Sequence, residues 1–581
     1  MLTDVRVRNF KRFENVELPL GEATVLIGPN NSGKTAALQA LALWQAGVAK
    51  WIGRHGTTES SAKRPGVTVN RLELIAVPVP TAKLLWRDMH FMRSWPAESG
   101  ERQQEQINIE VDVRGHSGGR TWECGLEFYY ANPESFYCRP RASGTAGERL
   151  VPPEAAEVKV AFLPPMSGLA AVETKLEAGR VNVLIGEGQT AQVLRNLCLQ
   201  LHTGGGWDEV VEDIQRLFGV ELLPPRHITE RGEITMSYRE RGGVELDLAC
   251  SGRGLQQTLL LLAYMRANPG SVLLLDEPDA HLEILRQRQI YSVITQTASD
   301  MGSQVVAASH SEVVLNEAAD RDTVVAFVGT PHRIDDRGSQ VAKALKSIGF
   351  EHYYLAETTG WVLYLEGSTD LAILREFAQR LDHPAAKALE RPFVHYIGNH
   401  SGQAESHFHG VREAKPDLVG LAIFDDYGGA PASSHPGLSV FQWQRREIES
   451  YVCTRETLLG YARAGGPASE AEADGPLFRA DESARREEAM SGAIDEVAAA
   501  FRTLHGVEPW SPEVKASDDF LNPVFRAYYQ SLGLPNRMNK SDYHLLVSHV
   551  PVDQIDPEIR DALDRIQFTA ESARPTTPDP E

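Results

Sequence analysis

The sequence predicts an α/β protein of two domains, each alternating strands with helices. Three observations predict it. The loop Gly28-Pro29-Asn30-Asn31-Ser32-Gly33-Lys34-Thr35 has the pattern Gly-x-x-x-x-Gly-Lys-Ser/Thr between an apolar run (23–27) and a helical segment (36–43). Two further apolar runs, 272–275 and 304–308, lead into Asp276-Glu277 and Ser309-His310. From Trp361 onward, strand and helix patterns alternate again, and the strands run into Glu366 and Asp425. A chain of 581 residues is long enough for two such domains.

The loop comes first because its chemistry is the most specific. Backbone N–H groups of such a turn, with those of the following helix, converge on anionic oxygens. Lys34 adds a point charge at the β- and γ-phosphates, and Thr35 a hydroxyl ligand for Mg²⁺. The motif therefore predicts a nucleoside triphosphate held by Asn30, Asn31, Ser32, Gly33, Lys34 and Thr35.

Composition sets the class. Hydrophobic residues make up 42% and charged residues 24%, the mix of a globular chain with a core. No apolar run is long enough to span a membrane, and Met1-Leu2-Thr3-Asp4-Val5-Arg6 is not a secretory signal, so a cytoplasmic address and no membrane partner are expected. Cys124, Cys138, Cys198, Cys250 and Cys453 form no Cys-x-x-Cys pair, which argues against a disulfide framework or a zinc site made of cysteines. Net charge is −21; residues 361–581 hold 21 Lys+Arg against 35 Asp+Glu and so carry −14 of it. That balance disfavours nonspecific attraction to nucleic acid, but leaves room for a local basic groove or for carboxylates that hold metal against a phosphodiester.

In chain order, residues 2–10 alternate apolar and polar positions as a strand, 11–15 turn, and 16–20 resume the strand. Residues 71–77, 106–113 and 122–128 read as strands of an antiparallel sheet within about 50–160, and 162–169 as an apolar loop broken by proline. Residues 191–218 read as helical. Ser251-Gly252-Arg253-Gly254 then leads an apolar helix from Thr258, and Ser271 opens the strand into Asp276-Glu277-Pro278-Asp279-Ala280-His281-Leu282.

This order resembles the ABC-type ATPases of the SMC/RecF/OLD group. The resemblance implies that Ser251, Gly252 and Gly254 form the signature that closes on the γ-phosphate held by another subunit. It implies that Asp276 serves the metal, that Glu277 is the general base toward water, and that His310 is the switch that senses the γ-phosphate. Residues 279–282 resemble the D-loop at the dimer interface. A homodimer or higher homo-oligomer through the ATPase heads is the implied partner, with ATP and Mg²⁺ as cofactors. A structural clamp is disfavoured, because no long heptad-bearing insertion separates loop and signature.

In the second half, residues 361–365 form a strand that ends at Glu366-Gly367-Ser368-Thr369-Asp370, and a helix follows. Further strands cover 394–398 and 418–424, the latter running into Asp425-Asp426-Tyr427. This β–α–β–α–β order resembles the Rossmann-like TOPRIM domain, in which a glutamate and aspartates hold one or two metals for phosphodiester chemistry. The usual Asp-x-Asp is replaced here: tyrosine stands where the second aspartate would fall. Metal binding then rests on Glu366, Asp370 and Asp425, with Asp426 a substitute only if the strand has already turned.

Residues 445–452 read as a helix that resembles the Glu-containing segment of OLD-family proteins, with Glu449 as ligand, and Lys540 as a basic residue toward a scissile phosphate. His400, His407 and His409 are irregularly spaced and read as a solvated loop rather than a metal site. Residues 464–488 read as a flexible excursion.

Together the expected domains are an ABC-type ATPase over 1–350, a TOPRIM domain with a helical extension over 351–570, and a disordered tail over 571–581. Such a chain resembles the OLD (overcoming lysogenization defect) family, including Gabija-type nuclease subunits. That implies an ATP-controlled DNA endonuclease or nickase using Mg²⁺ or Mn²⁺, in antiphage defence or DNA repair, with DNA and a companion defence protein as partners. The alternative is an ATP-driven sensor or scaffold with a degenerate TOPRIM domain that controls a separate effector.

Overall fold

The computed structural model describes residues 1–56, 65–96, 102–142, 149–240, 243–319, 321–334, 348–398, 400–426, 428, 434–465 and 476–576. Its contacts divide into two compact units, Met1–Ala342 and Lys343–Glu581.

The first unit is built on two sheets. Strands β1 (Leu2–Phe10), β2 (Phe13–Pro19), β4 (Val67–Asn70), β5 (Ile109–Ser117), β6 (Arg120–Asn132) and β7 (Ser135–Pro140) pair antiparallel in the order β2-β1-β5-β6-β7-β4. Strands β3 (Ala23–Ile27), β8 (Val160–Leu163), β9 (Val272–Asp276), β10 (Gln304–Ser309), β11 (Thr323–Ala326) and β12 (His332–Arg333) form the second sheet, ordered β8-β9-β10-β3-β11-β12. Every pair in it is parallel except the last.

Helix α1 (Lys34–His55) lies between the sheets, because its small and apolar residues are buried on both sides. Trp44 donates its ring N–H to Cys124 O at 2.9 Å, and a Cβ on Gly47 would sit 2.7 Å from Leu126, so helix and antiparallel sheet touch closely there. Alternation along β9 and β10 divides the core. Leu274, Val306 and Ala308 face α1, whereas Leu273, Leu275, Val305 and Ala307 face helix α2 (Arg253–Ala267). Leu259 to Leu262 on α2 are fully buried, each worth about 1.5–3 kcal/mol. Helix α3 (Ile284–Asp300) covers the same face.

The second unit begins with helix α4 (Phe350–Thr359) and strand β13 (Trp361–Leu365). Helix α5 (Ser368–Arg380), strand β14 (Val394–Tyr396), helix α6 (Ser401–Ala414), and strands β15 (Val419–Phe424) and β16 (Leu438–Gln442) follow. The sheet order is β14-β13-β15-β16, all parallel. Leu363, Leu365, Leu421 and Ile423 pack with α5, while Val362, Tyr364, Ala422 and Phe424 pack with α4 and α6. Helices α7 (Arg455–Ala464), α8 (Pro476–His505), α9 (Asn522–Ser531) and α10 (Pro557–Ser572) complete the unit.

Several local expectations are corrected. Residues 71–77 are a short turn and loop, not a strand: the Asn70 and Glu73 side chains cap each other's backbone and end β4. The proline-bearing segment 162–169 starts inside β8, since Pro164 stops the strand only after Leu163. The helix expected over 191–218 is two, Leu194–Gly204 and Trp207–Phe218, separated by Gly205 and Gly206 at φ 104° and 94°. Residues 445–452 hold only the short turn Ile448–Tyr451. Residues 476–488 are helical rather than an excursion, since alanine and unbranched charged side chains favour helix. The tail is placed through Thr576, whose N–H donates to Glu357 O at 2.8 Å, so the expected disorder does not start at 571. Residues 577–581, like Tyr427, lie outside the described residues.

Candidate functional site

The first site forms where β3, β9 and β10 end side by side. After Ile27 the chain turns through the loop into α1 with Asn31 at φ 62° and Gly33 at φ 107°. A Cβ on Gly33 would meet Arg12 Cδ at 2.6 Å and the Phe13 ring at 3.1 Å, so only glycine fits both the conformation and the space. Lys34 Nζ donates to Gly28 O at 2.8 Å and Pro29 O at 2.7 Å, folded back over the loop. Burial lowers its pKa, and the nearby Glu277, Asp276 and Asp279 oppose that shift.

Thr35 Oγ1 donates to Asp276 Oδ2 at 2.9 Å, which joins the first turn of α1 to the end of β9. Burial pushes Asp276 up to about 6, against the Thr35 hydrogen bond, and the Glu277 charge adds to the rise. Glu277 sits at φ 50° with its N–H held by Ala308 O at 2.8 Å, and its Oε1 lies 3.6 Å from His310 Nδ1. Asp279 is buried and accepts from Ser309 Oγ at 3.0 Å.

A cavity of about 450 Å³ lies over this loop, lined by Asn30 to Ala36, Glu277, and also Lys11, Arg12 and Gln39. Lys11, which donates to Gln39, is pushed down to about 8 by burial. These three were not singled out from the sequence, where Lys11 and Arg12 read only as a turn. The signal was the place of Lys11 and Arg12 between β1 and β2, which brings a cationic hairpin tip to the loop, while Gln39 lies on α1. Ser251, Gly252 and Gly254 do not line the cavity. They stand at the N-terminus of α2, where Gly254 approaches His281 O and Leu282.

The residues fit a nucleotide and a divalent ion. Ser32 Oγ is buried with no hydrogen-bond partner among the described residues, Gly33 leaves a cradle, and Thr35 with Asp276 offers the hard oxygens Mg²⁺ requires.

The second site gathers carboxylates at the carboxyl ends of β13 and β15. Glu366 and Asp425 share a hydrogen bond, and Asp425 is pushed far up by burial, that bond, and the charges of Glu366, Asp370 and Glu449. Asp370 accepts from Glu366 N–H at 3.0 Å and Gly367 N–H at 3.2 Å, capping the first turn of α5; burial pushes it up to about 6. Glu449 is buried and raised by burial, Glu447 and Asp370, with Lys540 pulling the other way. Glu447, overlooked in the sequence, is also buried and accepts from Ser517 N–H at 2.5 Å.

Asp426 does not join the cluster. Its Oδ1 accepts from Gly428 N–H at 2.8 Å and Gln442 Nε2 at 3.3 Å, because the chain turns away after Asp425. Burial first, and then the charges of the neighbouring carboxylates, raise Asp370, Asp425 and Glu449, and carboxylate oxygens are the ligand type that Mg²⁺ and Mn²⁺ take.

Of the three histidines read as a solvated loop, His400 is exposed ahead of α6, whereas His407 and His409 lie on that helix. Residues 401–414 form α6, and His407 meets His352 and His395. Burial, His395 and His352 push His407 down to about 3, so it is neutral at pH 7. His409 faces Glu405 and His435.

The parallel sheet, the glycine loop and the carboxylate-tipped strand beside it give the first unit the α/β fold and the loop of a P-loop nucleotide-binding domain. Family models agree in part. One described as "AAA ATPase domain" matches residues 1–46, and one described as "AAA domain, putative AbiEii toxin, Type IV TA system" matches 179–316. An OLD nuclease of Thermus scotoductus is 46% identical over 43 residues, which are 7% of this chain and 8% of that relative's length. Among solved structures, the chain is similar to an SMC head bound to the C-winged helix domain of ScpA, with 16% identity and a TM-score of 0.35 over 57% of this chain and 97% of that one. It is also similar to the SMC head domain from Thermotoga maritima, with 14% identity and a TM-score of 0.29 over 56% and 94%. Among the described residues, no helix is long and apolar enough to cross a membrane.

Proposed function

We propose that the chain hydrolyses ATP in its first unit and uses that cycle to control metal-dependent DNA cleavage by its second, as an OLD-like protein of antiphage defence or DNA repair. The single observation that carries the nuclease half is the convergence of Glu366, Asp370, Asp425 and Glu449 at the ends of parallel strands, with Lys540 beside them. The order and carboxylates support a TOPRIM reading of this unit.

In the ATPase, Asn31 to Gly33 orient backbone N–H groups toward phosphate, and Lys34 supplies charge. Thr35 and Asp276 would hold Mg²⁺, which would supply positive charge against the phosphates. Glu277 accepts the proton of water, and His310 orients Glu277. Ser251, Gly252 and Gly254 complete the site of a second copy, in a homodimer or larger oligomer.

In the second unit, Glu366, Asp425 and Glu449 would hold Mg²⁺ or Mn²⁺, which would supply Lewis-acid polarisation of a phosphodiester. Asp370 caps α5 through Oδ2, and its Oδ1, which accepts from Thr369 Oγ1 at 3.3 Å, is the oxygen it would share with the metal. Lys540 offers its ammonium to the phosphate.

One observation favours a second reading, a sensor or scaffold for a separate effector: Asp426 is engaged by Gly428 and Gln442 and so removes one candidate ligand. Cleavage of supercoiled plasmid in the presence of Mg²⁺ or Mn²⁺, with and without ATP, separates the two.

A further inference from the structure

We infer that His352, His395 and His407 form a Zn²⁺-class metal site in the second unit, separate from its carboxylates. The three histidines come from three elements: α4, β14 and α6. One ring nitrogen from each lies within 4.8 Å of those of the other two. His407 Nε2 and His352 Nδ1 are 2.9 Å apart. The His395 ring stacks on His407 with centroids 3.9 Å apart, and His352 stands edge-on to both, at 4.9 and 4.8 Å. Fully buried Phe393 lies against His352 and His407, closing one side with apolar surface.

Three imidazoles with no carboxylate in the group suit a borderline cation, and leave a fourth position for water. The carboxylates at the ends of β13 and β15 are a hard oxygen set and select Mg²⁺ or Mn²⁺ instead. Nitrogens placed about 2.0–2.1 Å from a tetrahedral ion are about 3.3 Å apart. The His407–His352 pair opens by a few tenths of an ångström to reach that spacing. The half-buried His395 ring turns about χ2, out of its stack, to aim at the same point.

Tyr364 fixes the arrangement. Its hydroxyl lies 2.8 Å from His407 Nδ1, and as acceptor it keeps the proton there, leaving Nε2 for the ion. Tyr364 is itself fully buried on β13, paired in register with His395. The bound ion ties the helix that opens the unit to the edge strand and to α6.

The test is titration of the metal-free full chain with Co²⁺, in excess Mg²⁺ to occupy the carboxylates, followed by visible absorption. One equivalent per chain gives the intense bands of four-coordinate cobalt, and Zn²⁺ abolishes them. His395→Gln and His407→Gln each lose the bands, whereas the double variant His409→Gln with His435→Gln keeps them. Tyr364→Phe weakens binding about 10- to 100-fold. Should His407→Gln fail to fold by circular dichroism, His395→Gln on the edge strand decides. No saturable bands in the wild-type chain, or bands that survive in His395→Gln, overturn the site.

Discussion

Glu277 Oε1 lies 3.6 Å from His310 Nδ1, and the two residues follow the adjacent parallel strands β9 and β10. Glu277 adopts φ 50°, a costly conformation for glutamate, held by its N–H bond to Ala308 O. Glu277→Gln therefore retains ATP binding and lowers turnover about 10²- to 10⁴-fold, read by phosphate release beside a nucleotide-binding titration. Unchanged turnover contradicts its role as base.

Lys34 has its ammonium on two loop carbonyls, in place for phosphate oxygens. Charge-assisted bonds are worth about 1.5–3 kcal/mol each, so Lys34→Ala weakens ATP binding at least about tenfold in calorimetry. An affinity equal to wild type sinks the loop assignment.

The carboxylate cluster gives a pH dependence. Asp370, at about 6, and Asp425 and Glu449 are all raised above their unfolded values. The folded metal-free unit thus holds protons that the unfolded chain has lost, so its stability falls as pH rises from about 4 through the folded values. A divalent ion displaces those protons, so Mn²⁺ affinity rises with pH and calorimetry in two buffers shows proton release. A melting temperature independent of pH together with binding that releases no proton contradicts the cluster.

Lys415 is buried beside Glu357, 3.8 Å away, and donates to Arg574 O at 3.1 Å and Thr576 Oγ1 at 3.3 Å. Lys415→Met leaves Glu357 buried without its cation and destabilises the second unit by about 3–5 kcal/mol. Truncation after Ser572 lowers its melting temperature in the same direction. Wild-type melting in both variants contradicts the anchor.

The loop, the acidic strand and the histidine of the first site were legible because each motif is local and their order fixed, whereas Ser251, Gly252 and Gly254 stand at the start of α2, away from the cavity. Lys11 and Arg12 escaped notice because only folding brings the β1–β2 turn to the loop, and with it Lys11 to Gln39 on α1. The second site was partly legible, since Glu366 and Asp425 end apolar strands. Asp426 was legible only as a conditional ligand, because its Gln442 partner lies on another strand, and Glu447 needed Ser517, seventy residues away. His407 was read with its sequence neighbours His400 and His409; its spatial neighbours, His352 and His395, lie on other elements. Helix breaks at Gly205 and Gly206 were visible as residues, yet apolar spacing on both sides masked them.

The most direct measurement of the central claim is incubation of the full chain with supercoiled plasmid and Mg²⁺ or Mn²⁺, with and without ATP. The account predicts nicked or linear DNA that disappears in Glu366→Ala and Asp425→Ala. Intact plasmid under every metal and nucleotide condition, from protein that still binds ATP, contradicts it.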